Sequence, residues 1–132
     1  NIQSELLSLN EVNDYHRGFI TGHIVTQELI SLNTDSYYRP NFWTRENANS
    51  SAEVDLIYQF KNHVIPIEIK SGAKGSLKSL NEFMEIVNHN CAIRFLNNKL
   101  HIEDSITRSG KKFKLHNLPI FLISQINKYL FT

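Results

Sequence analysis

Residues 52–71, AEVDLIYQFKNHVIPIEIKS, decide how this chain is read. Two runs rich in Val, Ile, Leu, Tyr and Phe flank Lys61-Asn62, and Asn tolerates the positive φ that a tight hairpin turn requires. If that pair is the turn, partners across the strands have residue numbers with a constant sum. Asp55 then faces Glu68, and Glu53 faces Lys70. Alternation with period two puts these four side chains on one face, with Val54, Leu56, Tyr58, Ile65, Ile67 and Ile69 on the other. Two carboxylates directly opposed across a ladder repel, an unfavourable arrangement that a divalent cation would offset. Mg²⁺ is commonly held by one or two carboxylates plus water and substrate phosphate oxygens. A solvated polar face with an ordinary Glu53–Lys70 ion pair gives the same alternation. Against it, Ile57, Val64 and Pro66 share the charged face near the turn, so the carboxylates are expected at the open end of a covered sheet.

Glu53-Val54-Asp55, a spacer, and then IPIEIKSG (residues 65–72) resemble the PD-(D/E)XK nuclease superfamily. More narrowly, they resemble the nuclease-like domain of unknown function that follows the ATPase core of prokaryotic AAA-type ATPases. GFITGHIVTQEL (residues 18–29) is similar to that family's first helix, and Phe42-Trp43-Thr44-Arg45 to the strand before its hairpin. Cys91 to Arg94 and Asn117-Leu118-Pro119 resemble its later strand and closing helix.

The resemblance implies a restriction-endonuclease-like, three-layer α/β/α fold with a mixed central sheet of four or five strands. It further implies a catalytic set of Asp55, Glu68 and Lys70. Mg²⁺ (or Mn²⁺) would be held by Asp55, Glu68 and the Ile69 carbonyl, with Glu28, Gln27 and Ser71 as auxiliary residues. The implied partners are nucleic acid and an ATPase core in the same parent chain. Gly22 stands where that family usually has a helix Glu, while Glu28 matches a second family Glu. That departure leaves an alternative of another class: a catalytically inactive nuclease fold that binds nucleic acid or protein and regulates the ATPase.

At 132 residues the chain suits one domain, 1–132, with a single core. Hydrophobic content of 41% with 20% charged residues is ordinary for a globular protein. No apolar run reaches transmembrane length and no basic start leads an apolar stretch, so no membrane partner is expected. The chain starts without Met, and residues 1–10 read as the tail of a preceding region. One Cys excludes an intramolecular disulfide and suits the cytoplasm. Net charge is +1, but residues 1–60 carry −5 and 61–132 carry +6. The basic half could attract a phosphate backbone or pair with the acidic half.

Away from the hairpin, Ile20, Ile24, Val25, Leu29 and Leu32 have helical spacing within 14–32. Phe42 to Glu46 reads as a strand. After a glycine-containing loop, 71–75, the segment 76–88 reads as a helix buried through Leu77, Leu80, Phe83 and Ile86. The loop lacks the phosphate-cradling pattern of a nucleotide site. Cys91 to Leu96 reads as a core strand parallel to 65–70, Leu100 to Ile106 as an edge strand, and Arg108 to Lys114 as a basic turn. Pro119 opens a final amphipathic helix, 120–130. Arg45, Lys74, Lys78, Lys111 and Lys112 are the candidate nucleic-acid contacts. None of the six His residues has paired zinc-ligand spacing.

Overall fold

A computed structural model describes residues 20–32, 41–45, 52–70 and 77–131. Its strands are β1 (Asn41–Thr44), β2 (Glu53–Phe60), β3 (His63–Ile69), β4 (Cys91–Phe95), β5 (His101–Ile106) and β6 (Lys112–Leu118). Helix α1 covers residues 20–32, α2 is Lys78–Ile86, and a 3-10 helix runs over Ile120–Lys128. The strands form one mixed sheet in the order β1-β2-β3-β4-β6-β5. β3, β4 and β6 are parallel neighbours, and the other pairs are antiparallel.

The hairpin register is the expected one, pairing Phe60 with His63 through to Leu56 with Ile67. The positive φ, however, falls on Lys61, at 53°, and not on Asn62. Both favoured two-residue turns need a positive φ at the first central position, and the partner register leaves that position to Lys61. β4 lies parallel to β3 as expected, with α2 in the crossover between them.

The sheet has six strands where four or five are expected, and the unforeseen one is β6. Its sequence KFKLHNL alternates Phe113 and Leu115, buried, with Lys112 and Lys114, exposed. The lysines gave the segment the composition of a loop, while the period of two was that of a strand.

The two faces carry separate cores. Val25 and Leu29 of α1, with Ile123 and Ile126 of the 3-10 helix, pack on Leu56, Ile65, Ile67, Ile93 and Phe95. Leu80 and Met84 of α2 pack on Ala92, Phe113 and Leu115 of the other face. The layers are therefore helix, sheet, helix. Two expectations about helix faces fail: Ile20 and Ile24 are exposed on α1, and Ile86 is exposed on α2, where Met84 takes the buried place. The closing helix is 3-10 instead of α, and Ile120, Ile123 and Ile126, spaced by its period of three, line up along it. Tyr58 ties it to β2 by donating its hydroxyl to Asn127 Oδ1 at 2.8 Å.

Two buried histidines set a pH dependence. His89 Nε2 donates to the Val64 carbonyl at 2.8 Å while Nδ1 accepts the Cys91 N–H at 3.3 Å, the pattern of a neutral ring. On His116, 1% exposed, neither ring nitrogen has a hydrogen-bond partner among the described residues. Burial lowers both pKa values from 6.5. The unfolded chain then binds more protons just below pH 6.5, so stability present above that value is lost as pH falls through the folded-state pKa values. Urea unfolding between pH 7.5 and 5.5 should show the midpoint falling. His116→Leu should flatten that slope and add about 1 kcal/mol at neutral pH by removing an unpaired buried donor. An unchanged slope in that variant would contradict the assignment.

Candidate functional site

The site begins where the hairpin ladder stops. Beyond Leu56↔Ile67 the Asp55 side chain takes the place of a backbone partner: its Oδ2 accepts the Ile69 N–H at 2.7 Å. β2 and β3 thus part at Asp55, and the direct Asp55–Glu68 opposition expected from the sequence becomes a fork. Asp55 is exposed, and its charge is felt at Glu68, so the two carboxylates share one locality. In a strand the N–H and C=O of one residue face the same neighbour. The Ile69 carbonyl therefore lies on the Asp55 side of β3.

Glu68 is 6% exposed, and Lys70 Nζ binds its Oε1 at 2.6 Å. Its Oε2 is buried with no hydrogen-bond partner among the described residues. A buried acceptor is rarely left so. Burial pushes the Glu68 carboxyl above its usual pKa; Lys70 and Arg94 pull it down, and Asp55 adds to the rise. The Glu53–Lys70 ion pair of the solvated-face alternative does not form. Lys70 turns to Glu68, and the Glu53 N–H donates to Ser79 Oγ at the start of α2, at 3.1 Å.

The auxiliary residues fare differently. Gln27 and Glu28 are exposed on α1, whose buried residues join the core on the opposite face of the sheet. No group of three His, Cys, Asp or Glu side chains able to hold a metal occurs among the described residues, so Glu28 does not join Asp55 and Glu68. Val25 and Leu29 face the sheet, and Glu28 stands exposed at the flank of that helix face. Gly22 has open space around the place of a Cβ. Ser71 and Lys74 lie outside the described residues.

Arg45 and Lys111 are engaged within the fold. Arg45 pairs with Glu82 at 3.1 Å. Lys111 caps the carboxyl end of α2, donating to the carbonyls of Met84, at 2.7 Å, and of Val87. The same turn is held by Glu85, which accepts the Ser109 N–H at 2.8 Å and its hydroxyl. Lys112 is exposed at the start of β6, and Lys78 opens α2. Part of the basic character of the second half is thus used inside the fold.

A cavity of about 1020 Å³ runs along α2, lined by Trp43, Arg45, Lys78, Glu82 and Arg108 among others. Asp55, Glu68 and Lys70 do not line it. Its Arg45–Glu82 pair is internally matched, and its Asn81 Oδ1, like Glu68 Oε2, is buried with no hydrogen-bond partner among the described residues; the fork differs in bringing two carboxylates and a lysine together.

Sequence reasoning missed Arg94, Asn117 and Glu103. Arg94 lies in register with Glu68 on one side and with Asn117 on the other. Its Nε donates to Asn117 Oδ1 at 2.6 Å and NH2 to Glu103 Oε1 at 3.2 Å. The available signal was a single Arg inside the apolar run CAIRFL, since a charge in a core strand needs a reason.

No curated protein and no solved structure matches the chain. Residues 17–120 match the sequence profile of a family described as a domain of unknown function, DUF4143, which is often found after AAA ATPase domains. That match covers most of the 132 residues, and the chain belongs to this family.

Proposed function

We propose that this domain is a metal-dependent phosphodiesterase centre of PD-(D/E)XK type, with a restriction-endonuclease-like arrangement, that acts on nucleic acid beside an AAA-type ATPase of the same chain. The observation that carries the reading is the fork between β2 and β3. There an exposed carboxylate, a buried carboxylate with an unpartnered oxygen, and a lysine converge.

The donor set fits Mg²⁺ or Mn²⁺: Asp55 and Glu68 are hard oxygen donors, the Ile69 carbonyl borders the same gap, and Glu68 Oε2 lacks a partner. Such an ion, when bound, polarises a phosphate and acidifies a bound water. The residues of the chain supply the positioning. Asp55 anchors one oxygen on the Ile69 N–H and so presents the other in a fixed direction. Lys70 neutralises Glu68 in the free domain, and its ammonium is placed to offset charge on a substrate phosphate. Among the described residues no helix is long and apolar enough to cross a membrane, and the single Cys91 is a free buried thiol, which supports a cytoplasmic location.

The absence of a third acid at the fork among the described residues supports a second reading, a nuclease fold that binds and regulates without cleaving. Conversion of supercoiled plasmid in Mg²⁺ separates the two. Nicking by the wild type, slowed about a hundredfold or more in Lys70→Ala with folding unchanged, is the expected result. A wild-type domain that binds metal but leaves plasmid intact assigns the second reading. A domain that does neither ends the metal-site reading.

A further inference from the structure

Arg94 has a geometry that packing alone does not demand. It lies directly beside Glu68 in register, on the same face of the sheet, in a strand otherwise buried and apolar. The 2.6 Å bond from Nε to Asn117 fixes the guanidinium plane, so that NH2 points across β6 to Glu103 on edge strand β5. The two ends of that ion pair are unequal: the Arg94 side chain is 12% exposed, whereas that of Glu103 is 41% exposed. His101 Nε2 stands 3.8 Å from the Glu103 carboxylate on the same exposed edge, beyond hydrogen-bond reach.

We infer that Arg94 is a second anion-binding point beside the fork, one that takes a phosphate of the nucleic-acid backbone, and that the Glu103 carboxylate is its placeholder in the free domain. A guanidinium fork accepts carboxylate and phosphate oxygens in the same planar geometry. A half-exposed carboxylate holds its partner weakly, so exchange for a phosphate costs little. The guanidinium itself stays aimed by Asn117 throughout. Neighbouring strands lie about 4.8 Å apart, so a strand of nucleic acid crossing the fork meets Arg94 next. This assignment rests on the function proposed above and adds a substrate contact directly beside the fork.

Fluorescence anisotropy with a short fluorescein-labelled DNA duplex in Ca²⁺ tests it. Glu103→Gln frees Arg94 and should tighten binding about three- to tenfold, whereas Arg94→Met should weaken it about tenfold and lower the steepness of its salt dependence by about one. Asp104→Asn removes the same charge from the opposite face of β5 and should change affinity by less than about twofold. Glu103 lies at the surface, so its variant decides the matter even if Arg94→Met fails to fold. Wild-type binding that Glu103→Gln leaves unchanged, or that Asp104→Asn tightens equally, overturns the Arg94 assignment alone. Wild-type binding that a folded Arg94→Met retains in full does the same. A wild-type domain that does not bind the duplex overturns this assignment together with the nucleic-acid reading.

Discussion

Asp55→Asn is expected to keep the fold and to lose plasmid cleavage by more than about a hundredfold, the scale reached when only an outer partner of a metal ligand is removed. Asparagine still offers an oxygen to the Ile69 N–H, the 2.7 Å bond that closes the fork, and loses only the negative charge. Asp55→Ala removes both. It should lose cleavage equally and also cost about 0.5–1.5 kcal/mol of stability, the net worth of one hydrogen bond. The contrast separates charge from architecture: urea unfolding distinguishes the two variants, and the cleavage assay does not. An Asp55→Asn domain that cleaves at the wild-type rate would show that the carboxylate serves the backbone alone.

Glu68→Gln should move stability and activity in opposite directions. Burial raises the Glu68 pKa from 4.5, with Lys70 and Arg94 opposing and Asp55 reinforcing the shift. A carboxyl with a higher pKa folded than unfolded binds more protons in the folded state, so its stability contribution falls as pH rises from 4.5 through the raised value. At neutral pH the full cost is present. Glutamine removes it, and Lys70, whose side chain is 27% exposed, can return its charge to water. The expected gain is roughly 1–2 kcal/mol at pH 7 and close to nothing well below pH 4.5, measured by urea unfolding at both. Cleavage should be abolished. Such opposition is what a strained functional carboxylate produces. A loss of stability at pH 7 would instead mean that the Lys70 pair outweighs the burial of Glu68.

What the sequence made legible was what local rules dictate. A two-residue turn fixes register, so the pairing of Leu56 with Ile67 and of Tyr58 with Ile65 followed from Lys61-Asn62 alone. The crossover through α2 to a parallel β4 followed from a helix between two apolar strands. What it hid depends on contacts distant in the chain. Ile20 with Ile24 and Val25 with Leu29 are two i, i+4 pairs on different faces of the helix, and only the second pair meets the sheet. Lys111 looked like a phosphate contact because nothing near it in sequence announces the carboxyl end of α2, more than twenty residues earlier. At the fork, the sequence brought Asp55, Glu68 and Lys70 to one face, but the opposition of two acids became a carboxylate on a backbone N–H, which relieves part of the repulsion. Arg94 stayed hidden because its partners come from two strands, one of them read as a basic turn.

The central claim is that Asp55 and Glu68 hold one divalent cation between them. Calorimetric titration of the domain with Mn²⁺, in parallel on wild type and Asp55→Asn, tests it most directly. One ion bound per wild-type domain, with binding lost in the variant, is the predicted result. Equal titration curves for the two proteins, whether flat or saturating, would contradict it.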